Sequence, residues 1–82
     1  MLEGRLEALH YGAKCFAVYG KDEVISDFMK YLENSVNTSI YVRIIAGRDH
    51  QGRVKIAITG KIVERLSIEV FRHQFIDDYY SR

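Results

Sequence analysis

The chain has 82 residues, 48% of them hydrophobic, with 12 Lys and Arg against 11 Asp and Glu for a net charge of +1. This composition excludes a disordered, highly charged segment and predicts one small domain, residues 1–82, burying about 60–65% of its unfolded surface. No apolar run is long enough for a transmembrane helix, Met1–Arg5 lacks the basic-then-apolar order of a secretory leader, and the single Cys15 cannot form an internal disulfide. We therefore expect a cytoplasmic protein without a membrane partner.

Residues 2–10 carry two patterns. Leu2, Leu6 and Leu9 have helical spacing, whereas Glu3, Arg5 and Glu7 alternate with Leu2, Gly4, Leu6 and Ala8 as in a strand. Gly4 weakens the helix by ~1 kcal/mol relative to Ala. With Gly12-Ala13 as a turn, Leu2–Tyr11 and Lys14–Tyr19 are expected to pair as a hairpin. Lys14-Cys15-Phe16-Ala17-Val18-Tyr19 is apolar on both faces, as an interior strand should be.

Asp22 to about Val36 predicts the main helix. Val24, Ile25, Phe28, Met29, Leu32 and Val36 make one apolar stripe, and Lys30 and Glu33 lie away from it. Asp22 and Glu23 stand at the positive end of the helix dipole. Asn37, Thr38 and Ser39 supply turn chemistry.

From residue 39 to 72, β-branched and aromatic residues alternate with polar ones. This predicts a three-stranded antiparallel meander near 39–47, 53–59 and 62–72. Ile40, Val42, Ile44 and Ala46 share one face of the first strand, Val54, Ile56 and Ile58 one face of the second, and Ile62, Leu66, Ile68 and Val70 line up in the third, with Glu64 as the exception. Arg48–Gly52 is a hairpin loop, and Gly60-Lys61 fits a II′ turn whose first central position needs a positive φ. Drawn as one helix, Lys61–Tyr80 scatters its apolar residues around the circumference, which favours the strand to Arg72. A short terminal helix follows, anchored by Phe75, Ile76 and Tyr79. The expected fold class is α+β: an antiparallel sheet of four or five strands, the helix at 22–36 packed on it, and a short C-terminal helix.

Charge is uneven. Residues 1–38 carry a net −2, residues 39–65 a net +4 and the tail a net −1. The outward face of the meander should gather Tyr41, Arg43, Arg53, Lys55, Thr59 and Arg65, with Ile45, Ala57, Val63 and Phe71 among them. Cations track phosphates and an aromatic stacks a base, which describes nucleic-acid contact; the plain alternative is a solvated face whose charges keep edge strands soluble. A mixed apolar and basic sheet face also suits a protein partner or a second copy. The Arg48, Asp49, His50 loop offers an Asp–His pair, and His73 with Asp77 has the i, i+4 spacing of a two-ligand metal clip that lacks a third ligand. No cofactor, metal centre or catalytic set is expected. Cys15, within an apolar strand, reads as an inert thiol.

The expected function is a small non-enzymatic regulatory module that binds a partner protein or itself as a homodimer, inhibitor- or adaptor-like. Nucleic-acid binding by the basic face is the alternative. Strand, helix, three-stranded meander and terminal segment also resemble in outline the small ribosome-dependent RNA-cleaving toxins, although their sequence pattern is absent. That resemblance implies a third reading, RNA cleavage with His50 or His73 as acid–base.

Overall fold

The computed structural model describes residues 5–35, 42–48 and 50–82. Two antiparallel hairpins lie side by side in one sheet. The first joins β1 (Glu7–His10) to β2 (Cys15–Gly20), and the second joins β3 (Val42–Arg48) to β4 (Val54–Gly60). The sheet order is β1-β2-β4-β3, antiparallel throughout. Helix α1 (Asp22–Ser35) carries the chain from β2 to β3, so these two strands run parallel with β4 between them. The hairpin reading of the N-terminal segment holds, and Gly12 turns it at φ 80°.

The run 15–20 becomes an interior strand because both its faces are apolar: Phe16, Ala17, Val18 and Tyr19 are all buried. One face, Ala8, Phe16, Val18, Ile56 and Ile58, meets the helices and forms the core with Ile25, Phe28, Tyr31 and Leu32 of α1. Helix α1 ends within a residue of the expected boundary, and its stripe is the expected one with Tyr31 added. Val36 lies outside the described residues, as do Leu2, Glu3, Gly4, Asn37, Thr38, Ser39 and Ile40.

The third strand of the meander is corrected. Residues 62–72 are helical: α2 (Lys61–Arg65) follows β4 directly, and a second rod runs through α3 (Ile68–Phe71), a π-helical stretch (Arg72–Asp77) and α4 (Asp78–Tyr80). The sheet therefore has four strands, the β1–β2 and β3–β4 hairpins. Gly60 does take a positive φ, 107°, but as the residue that converts β4 into α2 rather than as part of a II′ turn. With the meander absent, the outline likeness to the RNA-cleaving toxins loses its basis.

Two physical features hid these helices. Leu66 is extended (φ −118°, ψ 139°), so the helical phase restarts at the Ser67 cap, whose side chain accepts from the Val70 N–H at 3.2 Å. The π stretch then widens the turn, its bonds closing at i→i+5 rather than i→i+4. A single helical wheel drawn over 61–80 therefore smears two helices of different phase. Taken from Ile68 alone, the buried positions Ile68, Phe71 and Ile76, with half-buried Phe75 and Tyr79, fall on one side.

The tail packs rather than frays. Tyr31 Oη donates to Asp78 at 2.6 Å and Tyr79 Oη donates to Asp27 at 2.8 Å, a reciprocal clamp between α1 and the C-terminal rod. Phe28, Tyr31 and Tyr79 also pack ring to ring at 5.3–5.7 Å. Burial, then the bond to and charge of Asp27, push the Tyr79 hydroxyl up to about 12, and burial with Asp78 raises Tyr31. A raised tyrosine favours the neutral folded form. Its contribution is complete below the unfolded value of about 10 and is lost as pH climbs through 12. Tyr79→Phe should cost about 0.5–1.5 kcal/mol at neutral pH. Urea midpoints taken from neutral pH to pH 12 should show the gap between wild type and variant narrowing above pH 10.

Candidate binding face

All the helices lie on one side of the sheet, and among the described residues nothing covers the other. Register fixes what that bare face displays. One row crosses it as Leu9, Ala17, Ala57 and Ile45; a second runs Glu7, Tyr19, Lys55 and Gly47; a third holds Cys15 and Thr59, with Arg43 at the register position opposite Thr59. The first row is wholly apolar, and its two ends are open to water: Leu9 is 44% exposed and Ile45 53%. Between them Ala17 is buried, a methyl group flanked by Leu9 and Ala57 on the neighbouring strands.

Charged side chains frame this strip. The Arg53 guanidinium lies 4.4 Å over the Tyr19 ring and 3.8 Å from Glu7, and the Lys55 ammonium lies 4.3 Å over the Tyr11 ring. Both contacts are cation–π pairs, so each tyrosine presents one ring face to a cation of its own chain. Tyr19 is thereby buried on a face that no helix among the described residues covers. The Cys15 thiol is half-buried at the corner of this face, 3.5 Å from the Phe16 carbonyl.

The expected site residues divide. Arg53 and Lys55 stand on the bare face as anticipated, and Arg43 pairs with Thr59 in the β3–β4 ladder. Phe71 is corrected: it is fully buried, 5.2 Å from Phe16 across the core. Arg65 and Val63 are corrected too, for both ride on α2 in the helix layer, with Val63 packed against the core. Both errors follow from the misassigned third strand. Tyr41 and Asp49 lie outside the described residues.

Arg48 donates to the Gly52 carbonyl at 2.9 Å and reaches Asp22 at 3.3 Å, tying the hairpin loop to the start of α1. His50 is exposed in that loop. His73 does face Asp77, at 3.5 Å, but the other oxygen of Asp77 is held by Arg5 at 3.2 Å. Among the described residues no three His, Cys, Asp or Glu side chains converge for a metal.

Glu7, Leu9, Tyr11, Ala17 and Tyr19 were missed as members of the face. Their signal was present: in Leu6 to Tyr11 the odd positions alternate with Leu6 and Ala8, which are buried. What the alternation lacked was the partner strand. Only pairing of β2 with β4 brings the N-terminal hairpin beside Lys55 and Ala57.

Two concavities lie elsewhere. A groove of about 560 Å³ between α1 and the chain end is lined by Asp27, Lys30, Tyr31, Asn34, Tyr79, Tyr80 and Arg82, and its two aspartate-bound tyrosines are already committed to the clamp. A smaller one of about 250 Å³ lies along β1 against Arg72 and Ile76. No helix among the described residues is long and apolar enough to cross a membrane. No protein-family model, curated protein or solved structure matches this chain.

Proposed function

We propose that this protein is a small non-enzymatic binding module whose bare sheet face docks onto a partner protein. One observation carries the reading: an unbroken apolar row, Leu9–Ala17–Ala57–Ile45, crosses a sheet face over which no helix lies among the described residues. A sheet apolar on both sides needs a layer on each, and the chain's helices supply only one. The composition around the row, apolar in the centre with Arg, Lys, Glu and Tyr at the rim, is that of a protein interface. A base-stacking platform needs aromatic faces open to the ligand, and here Tyr19 is buried under Arg53 and Tyr11 gives one ring face to Lys55.

Leu9→Glu tests this reading, since it places a charge at the exposed β1 end of the strip, on the strand farthest from β3. The tagged protein is used to capture partners from the source cells, and each captured protein is then purified and titrated directly. We expect a partner whose affinity falls at least tenfold with Leu9→Glu and is unchanged by Glu33→Lys on the outer side of α1. Bound nucleic acid released steeply by salt, with Leu9→Glu neutral, would overturn the reading and assign the face to phosphates.

A further inference from the structure

Among the described residues, the two edges of the sheet are treated differently. A bond from the Tyr11 N–H to the Cys15 carbonyl, 2.8 Å, sets the phase of the β1–β2 ladder: odd residues of β1 bond inwards. Even residues therefore face outwards, and one outward group of Leu6 and one of Ala8 are capped. The Leu6 N–H donates to Tyr80 Oη at 2.9 Å, and the Arg72 guanidinium donates to the Ala8 carbonyl through Nε, at 2.9 Å, and Nη2. The C-terminal rod thus caps part of this edge.

Alternation carries the same phase across the sheet. In β2 residues 15, 17 and 19 bond β1, so 16, 18 and 20 bond β4; in β4 residues 54, 56 and 58 are then taken, leaving 55, 57 and 59 for β3. Arg43, Ile45 and Gly47 bond inwards, and the backbone groups of Val42, Ile44, Ala46 and Arg48 point out of the sheet. Ile45 to Arg48 are exposed on both faces of the strand, including Ala46, which shares its face with buried Ile56. An edge of this kind, β-branched and without proline, is a template for another strand.

We infer that β3 pairs antiparallel with β3 of a second copy of this chain, joining two four-stranded sheets into one of eight. The strand is self-complementary about Ile45. A two-fold axis there sets Ile44 against Ala46 and Val42 against Arg48 as hydrogen-bonded pairs, so every outward group of 42–48 finds a partner. It sets Arg43 against Gly47, which keeps like charges apart, and Ile45 against its own copy as a non-hydrogen-bonded pair.

This deepens the proposed function and rests on it in one respect. Four strands of about six residues give a bare face of about 400 Å², from strand spacing and rise. A standard interface takes about 800 Å² from each partner. Pairing at β3 makes the two bare faces continuous and supplies that area.

Light scattering of the purified protein should give twice the 9.5 kDa of one chain. Ala46→Pro removes an outward N–H that β4 does not use and should give a single chain with an unchanged circular dichroism spectrum. In a Cys15→Ser background, Ile45→Cys should form an intermolecular disulfide in most molecules, because Cα atoms of a non-hydrogen-bonded pair are about 4.5 Å apart. Gly47→Cys in the same background should not, its copies lying about 13 Å apart in this register. A single-chain mass for the wild type overturns the pairing. So does a dimer that survives Ala46→Pro and leaves Ile45→Cys uncrosslinked. Neither result depends on Leu9, so the docking reading stands or falls separately.

Discussion

Phe71→Ala should cost about 3–5 kcal/mol, a large share of the stability of so small a domain. Phe71 is fully buried and lies 5.2 Å from Phe16 and 5.3 Å from Phe75, joining the C-terminal rod to the centre of the sheet. Domains of this length are stable by only about 4–12 kcal/mol in total, so the loss is of the same order. Val70, its neighbour, is 39% exposed. Val70→Ala should therefore stay within about 0.5 kcal/mol. The contrast discriminates between architectures: a strand over 62–72 places Val70 in the core and Phe71 outside, and the order of the two variants would reverse. Urea unfolding of both variants reads the difference directly.

Gly60→Ala should destabilise by about 1–3 kcal/mol without emptying any space in the core. At φ 107° and ψ −162° Gly60 occupies a region that is almost closed to residues with a Cβ. It is both the last residue of β4 and the residue before α2, so it cannot relax without shifting one of them. Ile62 of α2 is buried two residues later, which fixes the angle at which the helix must leave the sheet. The measurement is a urea titration at constant slope, where the midpoint moves and the slope does not. A neutral result would mean that the strand-to-helix junction adapts to an ordinary φ.

Local pattern made a large part of the fold legible. Helix α1 could be read from its stripe of Ile25, Phe28 and Leu32 behind Asp22 and Glu23. Cys15–Gly20 could be recognised as interior because neither face was polar. The hairpin of β3 and β4 followed from alternation around Gly52, which turns at φ 80°. These features are encoded over a few residues, and nothing distant overrides them.

The candidate site was only half legible. Lys55 and Arg53 could be placed on an outward face by counting alternate positions along β4. Leu9 and Tyr19 could not, because the strand that neighbours β4 is chosen by long-range packing. Phe71 and Arg65 were drawn onto the face by an alternating pattern that suits a strand equally well. Short apolar runs do not distinguish the two structures.

The sequence by itself determined the α+β class, the main helix, the interior strand and the positive φ at Gly60. Each of these rests on periodicity or on the stereochemistry of one residue. Tertiary structure alone decided that 61–80 is helical, because helix formation there depends on burying Ile62, Ile68, Phe71 and Ile76 against a sheet already built. It also decided which sheet face is bare and which edge is partly capped. Both depend on where the C-terminal rod comes to rest, with Arg72 on Ala8 and Tyr80 on Leu6, contacts between residues more than sixty positions apart.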